Sequence, residues 1–279
     1  MFIKPAYAKG DFMHSMRKFL AISLCVILLM QLLSCTTAHR GEEVNLEGYE
    51  LVFFDDFEGN ALDLTKWEYR ATGERRGGFN HPDQVRVENG QLILSGEYTE
   101  REFGEGWYSG MIRLREMYTY GYFEIQCKTN DERDFWSAFW LTRGGVYEHD
   151  VSQGGIYGAE VDIFEAFNKR GLPKNIVTSF IHCNGVDDDP DNMDSKLVTV
   201  SYIPRLGEKY MTFGVLWTEN EYIFYINGKE TGRSSFGLGT STMPLEVIVS
   251  LEMPDEIKLS KDTVAEYLVD YVKIYQIQK

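Results

Sequence analysis

Glu221-Tyr222-Ile223-Phe224-Tyr225-Ile226-Asn227-Gly228 combines a β-branched and aromatic run with a terminal Asn-Gly pair. Such side chains suit a pleated, half-buried surface, and Asn-Gly tolerates the two positive φ angles of a tight hairpin turn. The stretch therefore predicts a strand followed by a hairpin. Working outward, the same signal recurs in Gln91-Leu92-Ile93-Leu94, in residues 121–127, in 245–251 and in 267–277. From Leu51 onward these segments are separated by Gly, Asn, Asp and Pro, and amphipathic helical stretches of useful length are almost absent. Many short strands with regular turns predict an all-β chain, a sandwich or jelly roll. No repeat, low-complexity tract or second linker divides residues 49–279, which are expected to form one domain.

Within that domain, Gly158-Ala159-Glu160-Val161-Asp162-Ile163-Phe164-Glu165-Ala166-Phe167 places three carboxylates in six residues of a strand-like run. Residues two apart share a strand face, so Glu160 and Asp162 point the same way. Glu165 has the wrong parity. It rejoins that face only if a β-bulge around Ile163-Phe164 absorbs one residue, a device common beside active sites. Carboxylates on a strand with buried neighbours are costly unless wet, paired or working. A solvated acidic edge strand or a calcium site would also account for them, but an exposed face usually mixes in Lys, Thr or Ser, which this one lacks.

A second run, Phe135-Trp136-Ser137-Ala138-Phe139-Trp140-Leu141, alternates so that Trp136 and Trp140 share a face across small Ala138, opposite Phe135, Phe139 and Leu141. Two indoles on one sheet face suit stacking against the C–H faces of sugar rings. Core packing of one or both is the plainer alternative.

Together these segments resemble glycoside hydrolase family 16, whose catalytic signature is E-x-D-x-E or a bulged E-x-D-x-x-E. This chain has the bulged form, Glu160 to Glu165. In family order stand Leu51-Val52-Phe53-Phe54-Asp55-Asp56-Phe57, Lys66-Trp67, Tyr120-Gly121-Tyr122-Phe123-Glu124, the Trp136/Trp140 segment, Trp217-Thr218, Asn227-Gly228-Lys229 and residues 269–275. The resemblance implies a concanavalin A-like β-jelly-roll sandwich of two curved antiparallel sheets, with a glycan lying across the concave one. It further implies a retaining endo-hydrolase with Glu160 as nucleophile, Glu165 as general acid/base and Asp162 between them. His182 resembles a family position near the acid/base, where it would contact substrate or tune Glu165; a satisfied surface His is the alternative. Asn80, in a Gly-rich loop, is a candidate for binding a glycone hydroxyl or simply a turn residue. Where many members carry Ser-Gly-Arg, this chain has Ser109-Gly110-Met111, which removes a common glycone contact. No cofactor is implied, although some members hold a structural calcium at the acid matching Asp270. The substrate class favoured is β-1,3- or mixed-linkage β-glucan. The same fold also serves endo-β-galactanases acting on agar, porphyran, carrageenan or mucin O-glycans. A lectin that lost catalysis would be expected to show erosion of the acidic triad, and all three members are present.

The chain's start has its own character. Arg17-Lys18 precede an apolar stretch from Phe19 to Leu33 that closes in Leu32-Leu33-Ser34-Cys35. This is the pattern of a secretory signal with a bacterial lipobox, predicting residues 1–35 as signal, lipidation at Cys35 and a tether over 36–48. About fifteen apolar residues fall short of the roughly 20 that span a bilayer. Met16 opens a more typical signal than Met1. The expectation is an exported monomer anchored by lipid alone to a bacterial outer membrane, with polysaccharide or oligosaccharide as its partner. Whole-chain charge is -15, from 28 Lys+Arg against 43 Asp+Glu. Without residues 1–35, which hold four basic residues and one acid, it becomes -18, from 24 against 42. Such an acidic surface excludes general nucleic-acid binding. The acidic run 187–191 (Asp187-Asp188-Asp189-Pro190-Asp191) lacks the Gly and Glu of an EF-hand and is expected to be a solvated loop. Cys127 and Cys183, the two cysteines left, have no metal-ligand spacing and could at most form one disulfide.

Overall fold

Asn227 and Gly228 adopt φ of 50° and 71°, closing the predicted hairpin. The structure, a computed structural model, describes residues 41–143, 155–168, 173–183 and 194–278. The first half supplies strands β1 (Tyr49–Asp55), β2 (Trp67–Tyr69), β3 (Gly73–Arg75), β4 (Gly78–Asn80), β5 (Val85–Val87), β6 (Leu92–Arg101), β7 (Gly104–Ser109), β8 (Met111–Leu114) and β9 (Gly121–Lys128). The second half supplies β10 (Trp136–Thr142), β11 (Glu160–Phe167), β12 (Ile176–Cys183), β13 (Asp194–Tyr202), β14 (Met211–Trp217), β15 (Tyr222–Ile226), β16 (Lys229–Ser234), β17 (Glu246–Glu252) and β18 (Val264–Ile277). Helix among the described residues is confined to 3-10 turns such as Pro82–Gln84.

These strands build the two-sheet jelly roll. An 11-stranded sheet runs β16-β15-β14-β9-β18-β6-β7-β4-β3, with β1 also on β18 and β5 also on β6; a 7-stranded sheet runs β13-β12-β11-β10-β17-β8-β2. Pairing is antiparallel except for β4 and β7, which meet in parallel through Phe79/Tyr108 and Asn80/Ser109. The core lies between the sheets. Phe139, Val161 and Phe164 of the smaller sheet and Ile125, Phe213 and Val272 of the larger are all nearly or completely buried. The Phe164 ring stacks on Phe213 at 4.1 Å between centroids, joining the two layers. Full burial of such a side chain contributes roughly 1.5–3 kcal/mol, so the alternating apolar residues supply most of the cohesion.

Several recurring sequence motifs turn out to tie strands together. Trp67 donates its indole N–H to Asp55 at 2.8 Å, linking β2 to the end of β1. Glu124 accepts from the hydroxyls of Tyr122 at 2.8 Å and Tyr271 at 2.9 Å, bracing β9 against β18.

Two expectations change. Residues 41–48 are not a free tether: Glu230 N–H donates to Glu42 O, and Val44 N–H donates to Gly228 O. Val44 and Leu46 cover an apolar patch of Tyr122, Leu216, Ile223 and Tyr225 on the larger sheet. Leaving that patch wet would forfeit burial, which is why the folded domain begins before residue 49. The cysteines do not pair. Cys127 on β9 and Cys183 at the end of β12 are both buried and free, in different sheets. The signal segment, Cys35 and the 187–191 acidic run lie outside the described residues. No helix among the described residues is long and apolar enough to cross a membrane.

Candidate active site

The expected bulge is present, and it organises the site. Against β10, Phe139 pairs with Phe164 but Trp140 pairs with Asp162, leaving Ile163 as the extra residue. Against β12, Asp162 pairs with Phe180 and Glu165 with Thr178, again one residue out of step. Phe164 stays in the core while Glu160, Asp162 and Glu165 line the same cleft. The bulge is held from below by Ser179, whose hydroxyl donates to the Ile163 carbonyl at 2.9 Å and accepts from Thr199 at 3.1 Å. Removing Ile163 should leave a regular strand on which Glu165 still shares the face of Glu160 and Asp162. The deletion is therefore expected to fold and keep measurable glycan turnover. Deleting Val161, which inverts the face of Glu160 relative to Asp162, should abolish it; assays of both variants compare the two.

The cleft floor is the solvent-side face of the smaller sheet. Trp136, Ala138 and Trp140 of β10 lie beside Phe167, Glu165 and Asp162 of β11 on one side and Glu252, Ser250 and Ile248 of β17 on the other. A cavity of about 390 Å³ reaches Glu160, Asp162, Glu165, Trp136, Phe180 and His182. Glu165 accepts the indole N–H of Trp136 at 3.1 Å. Trp140 donates to Ser250 at 3.0 Å.

Both tryptophans are only 6–7% exposed, so neither is an open platform. The Trp136 ring stacks on Phe167 at 4.9 Å, and the Arg76 guanidinium lies 5.3 Å from its centroid. Trp140 is covered by the Arg70 guanidinium at 5.0 Å. The expected pair of bare sugar-stacking faces is thus corrected to cleft-lining indoles capped by cations, an attraction between charge and ring quadrupole. Arg70 also approaches the Met111 sulfur at 3.6 Å, bringing a guanidinium beside the position at which the family resemblance implies Arg.

His182 sits opposite Glu160 in the β11/β12 ladder. Its Nε2 lies 3.1 Å from Asp162 Oδ2 and its Nδ1 2.7 Å from Ser195 Oγ. It therefore positions Asp162 directly. Burial first, and then the Glu252 carboxylate, push Asp162 up to about 8. Burial likewise holds Glu165 well above the usual carboxylate range, reinforced by the charges of Asp162 and Glu252 and opposed by His182 and the Trp136 hydrogen bond. The direction of the Glu165 shift is the one a general acid requires.

These shifts carry a stability consequence. In the unfolded chain Asp162 titrates near 3.9, so the folded state favours its protonated form. The stability tied to that proton is complete below about pH 4 and is lost as pH rises toward about 8. Asp162→Asn, which cannot ionise, is expected to melt higher than the parent protein above pH 4, with the gap widening up to pH 8. A thermal-melt series checks this; a gap that shrinks with rising pH contradicts it.

Asn80 is not part of this cleft. It is 2% exposed on β4, lines neither acid-bearing cavity, and its amide nitrogen is buried without a partner. Its backbone is paired with Ser109 in the parallel contact between β4 and β7. Four residues that the sequence did not single out do belong to the site: Glu252, Arg75, Arg76 and Arg70. Arg75 binds both Glu252 oxygens at 3.1 Å, and Arg76 approaches at 3.7 Å. The available signal was parity on β17, where Glu246, Ser250 and Glu252 share a face of an otherwise apolar strand. The arginines, Arg70 just after β2 and Arg75 and Arg76 on the β3/β4 hairpin, carry no comparable signal.

Among the described residues, Glu160, Asp162 and His182 are the one trio whose ligand atoms lie within 4.8 Å of one another. Asp270 belongs to no such group.

Comparison with known proteins follows the same outline. A family model described as the glycoside hydrolase family 16 domain of β-porphyranases A–D matches residues 52–277. The chain is 27% identical over 201 residues to the endo-1,3-1,4-β-glycanase ExsH of Rhizobium meliloti, covering 68% of this chain and 39% of that protein. It thus spans about two-fifths of that relative's length. Among solved structures, the non-specific endo-β-1,3(4)-glucanase SCLam superposes with a TM-score of 0.70 at 20% identity, over 87% of this chain and 97% of that one. An endo-acting O-glycanase from human gut microbiota, described as initiating mucin breakdown, gives 0.67 at 18% identity, over 85% and 94%. At those identities the structures speak for the fold alone. With a family model spanning β1 to β18 and the bulged acidic signature on the cleft face, the chain belongs to glycoside hydrolase family 16.

Proposed function

We propose that this protein is a retaining endo-β-glycosidase that cleaves β-1,3- or mixed-linkage β-glucan. The observation that carries the proposal is the bulge at Ile163, which brings three carboxylates to one cleft face. In the proposed reaction the glycan lies across β10, β11 and β17. Glu160 attacks the anomeric carbon as Glu165 protonates the departing glycosidic oxygen, giving a glycosyl ester on Glu160 and a shortened chain. Glu165, now ionised, takes a proton from water as the water oxygen attacks the same carbon, and Glu160 leaves as carboxylate. Asp162, held by His182, lies between the two and steadies the charge on Glu160. The glucan preference rests on the descriptions of ExsH and SCLam. A β-galactan substrate is the second proposal, favoured by the porphyranase description of the matching family model.

Laminarin, mixed-linkage glucan, agarose, porphyran and mucin O-glycans, each followed by product sizing, separate these. Oligosaccharides of several lengths from the glucans support the first proposal, release from the galactans alone replaces it with the second, and no release from any glycan removes both. Export and lipid anchoring at Cys35 are proposed from the Leu32-Leu33-Ser34-Cys35 run. Cys35→Ala should shift the expressed protein out of the membrane fraction; unchanged fractionation counts against the anchor.

A further inference from the structure

A second cavity lies apart from the acid-bearing cleft. About 750 Å³ opens beside the β9 and β14 ends of the larger sheet, and its lining shares no residue with either cavity at the acids. That volume falls within the range of ordinary small-ligand sites. Its walls combine the rings of Tyr49, Tyr120 and Trp217 with the polar side chains of Glu116, Glu219 and Asn220.

Two observations distinguish it from a mere crevice. Trp217 is fully buried, and its indole N–H has no hydrogen-bond partner. A buried donor left unmade costs about 1–3 kcal/mol, and this N–H is also closed off from solvent, so the wall of the cavity carries a strained core group. Tyr120, whose ring edge meets Trp217 at 5.4 Å, holds a φ of 61°, an uncommon conformation for a bulky residue. The strain is imposed locally. Gln276 donates its amide to the carbonyls of both Thr119 and Tyr120, and a Cβ on the next residue, Gly121, would lie 2.3 Å from the Tyr275 carbonyl. Backbone strain maintained by its surroundings is concentrated at ligand-binding sites.

We propose that this cavity is a second, non-catalytic glycan site that binds a neutral gluco-oligosaccharide. The choice of glycan rests on the β-glucanase proposal above. Tyrosine rings accept the C–H face of a sugar, and carboxylate and amide groups accept from or donate to its hydroxyls. Glu116 and Glu219 repel sulfate and uronate groups, which selects a neutral chain over an anionic one. Such a site would hold the polysaccharide on the enzyme while the cleft cuts elsewhere along it.

The test uses the full chain carrying Glu160→Gln, titrated with laminarihexaose by calorimetry. Two sites are expected, with one lost when Tyr120→Ala or, separately, the exposed-side Asn220→Ala is added. In the active protein, the same two substitutions should leave kcat/KM on soluble laminaritetraose unchanged while lowering retention on insoluble β-1,3-glucan at least tenfold. Unchanged turnover also shows that each variant is folded. A single site in Glu160→Gln that neither substitution affects, alongside normal glucan hydrolysis by the parent, overturns the second site and leaves the catalytic proposal standing. No glucan hydrolysis, with a remaining site that Tyr120→Ala removes, does the reverse.

Discussion

Glu165→Gln is expected to lower kcat on polysaccharide by about 10³-fold, within the 10²–10⁴ that a positioned general acid contributes. Gln fills the same space and still accepts the Trp136 indole N–H, but it has no proton to give the glycosidic oxygen. An aryl glycoside with a good leaving group does not need that proton, so its first step should survive. Water would then lack a base, and the glycosyl enzyme should accumulate, visible as a burst of released phenol. The alkaline limb of the pH profile should also disappear. In the parent protein that limb marks loss of the Glu165 proton, whose departure burial and the neighbouring Asp162 and Glu252 charges delay. A variant retaining both full polysaccharide turnover and the alkaline limb would assign the acid to another group.

Glu160→Gly should be the more damaging change, on the order of 10⁵-fold or more, as found when a covalent nucleophile is removed. The cleft and Glu165 remain, so a small anion can occupy the vacated space. Added azide is expected to attack the anomeric carbon directly and leave an α-glycosyl azide, with Glu165 still protonating the leaving oxygen. Glu165→Gly should instead yield the β-azide, because attack there falls on the ester formed with Glu160. The two anomers distinguish the roles of the two carboxylates in a way that loss of activity alone does not.

How much of this was legible in the sequence depended on the type of signal. Strand parity exposed the mismatch at Glu165 and required the bulge, because a period of two leaves only one way for Glu160, Asp162 and Glu165 to share a face. The hairpin at Asn227-Gly228 was equally plain, since the dipeptide itself specifies the turn. Trp136 and Trp140 were placed on the correct face, yet the sequence could not reveal that Arg70 and Arg76 cover them. Those arginines come from positions 70 and 60 residues away, and cross-strand proximity leaves no mark in local periodicity. Glu252 escaped for the opposite reason. Its parity with Ser250 and Glu246 is readable on β17, but the strand read from the sequence, 245–251, ends one residue before it. Asn80 misled because a Gly-rich loop and a buried parallel contact look alike in one dimension. Residues 41–48 looked like a tether because their polarity masks the work of Val44 and Leu46, which cover the larger sheet.

The most direct test of the central claim is the anomeric configuration of the first product, followed by proton NMR during the opening minutes of mixed-linkage glucan hydrolysis. Two successive displacements at one carbon through Glu160 predict that the β-anomer appears first and the α-anomer only later, by mutarotation. The α-anomer appearing first would mean that water attacks directly, and would contradict the assignment of Glu160 as nucleophile.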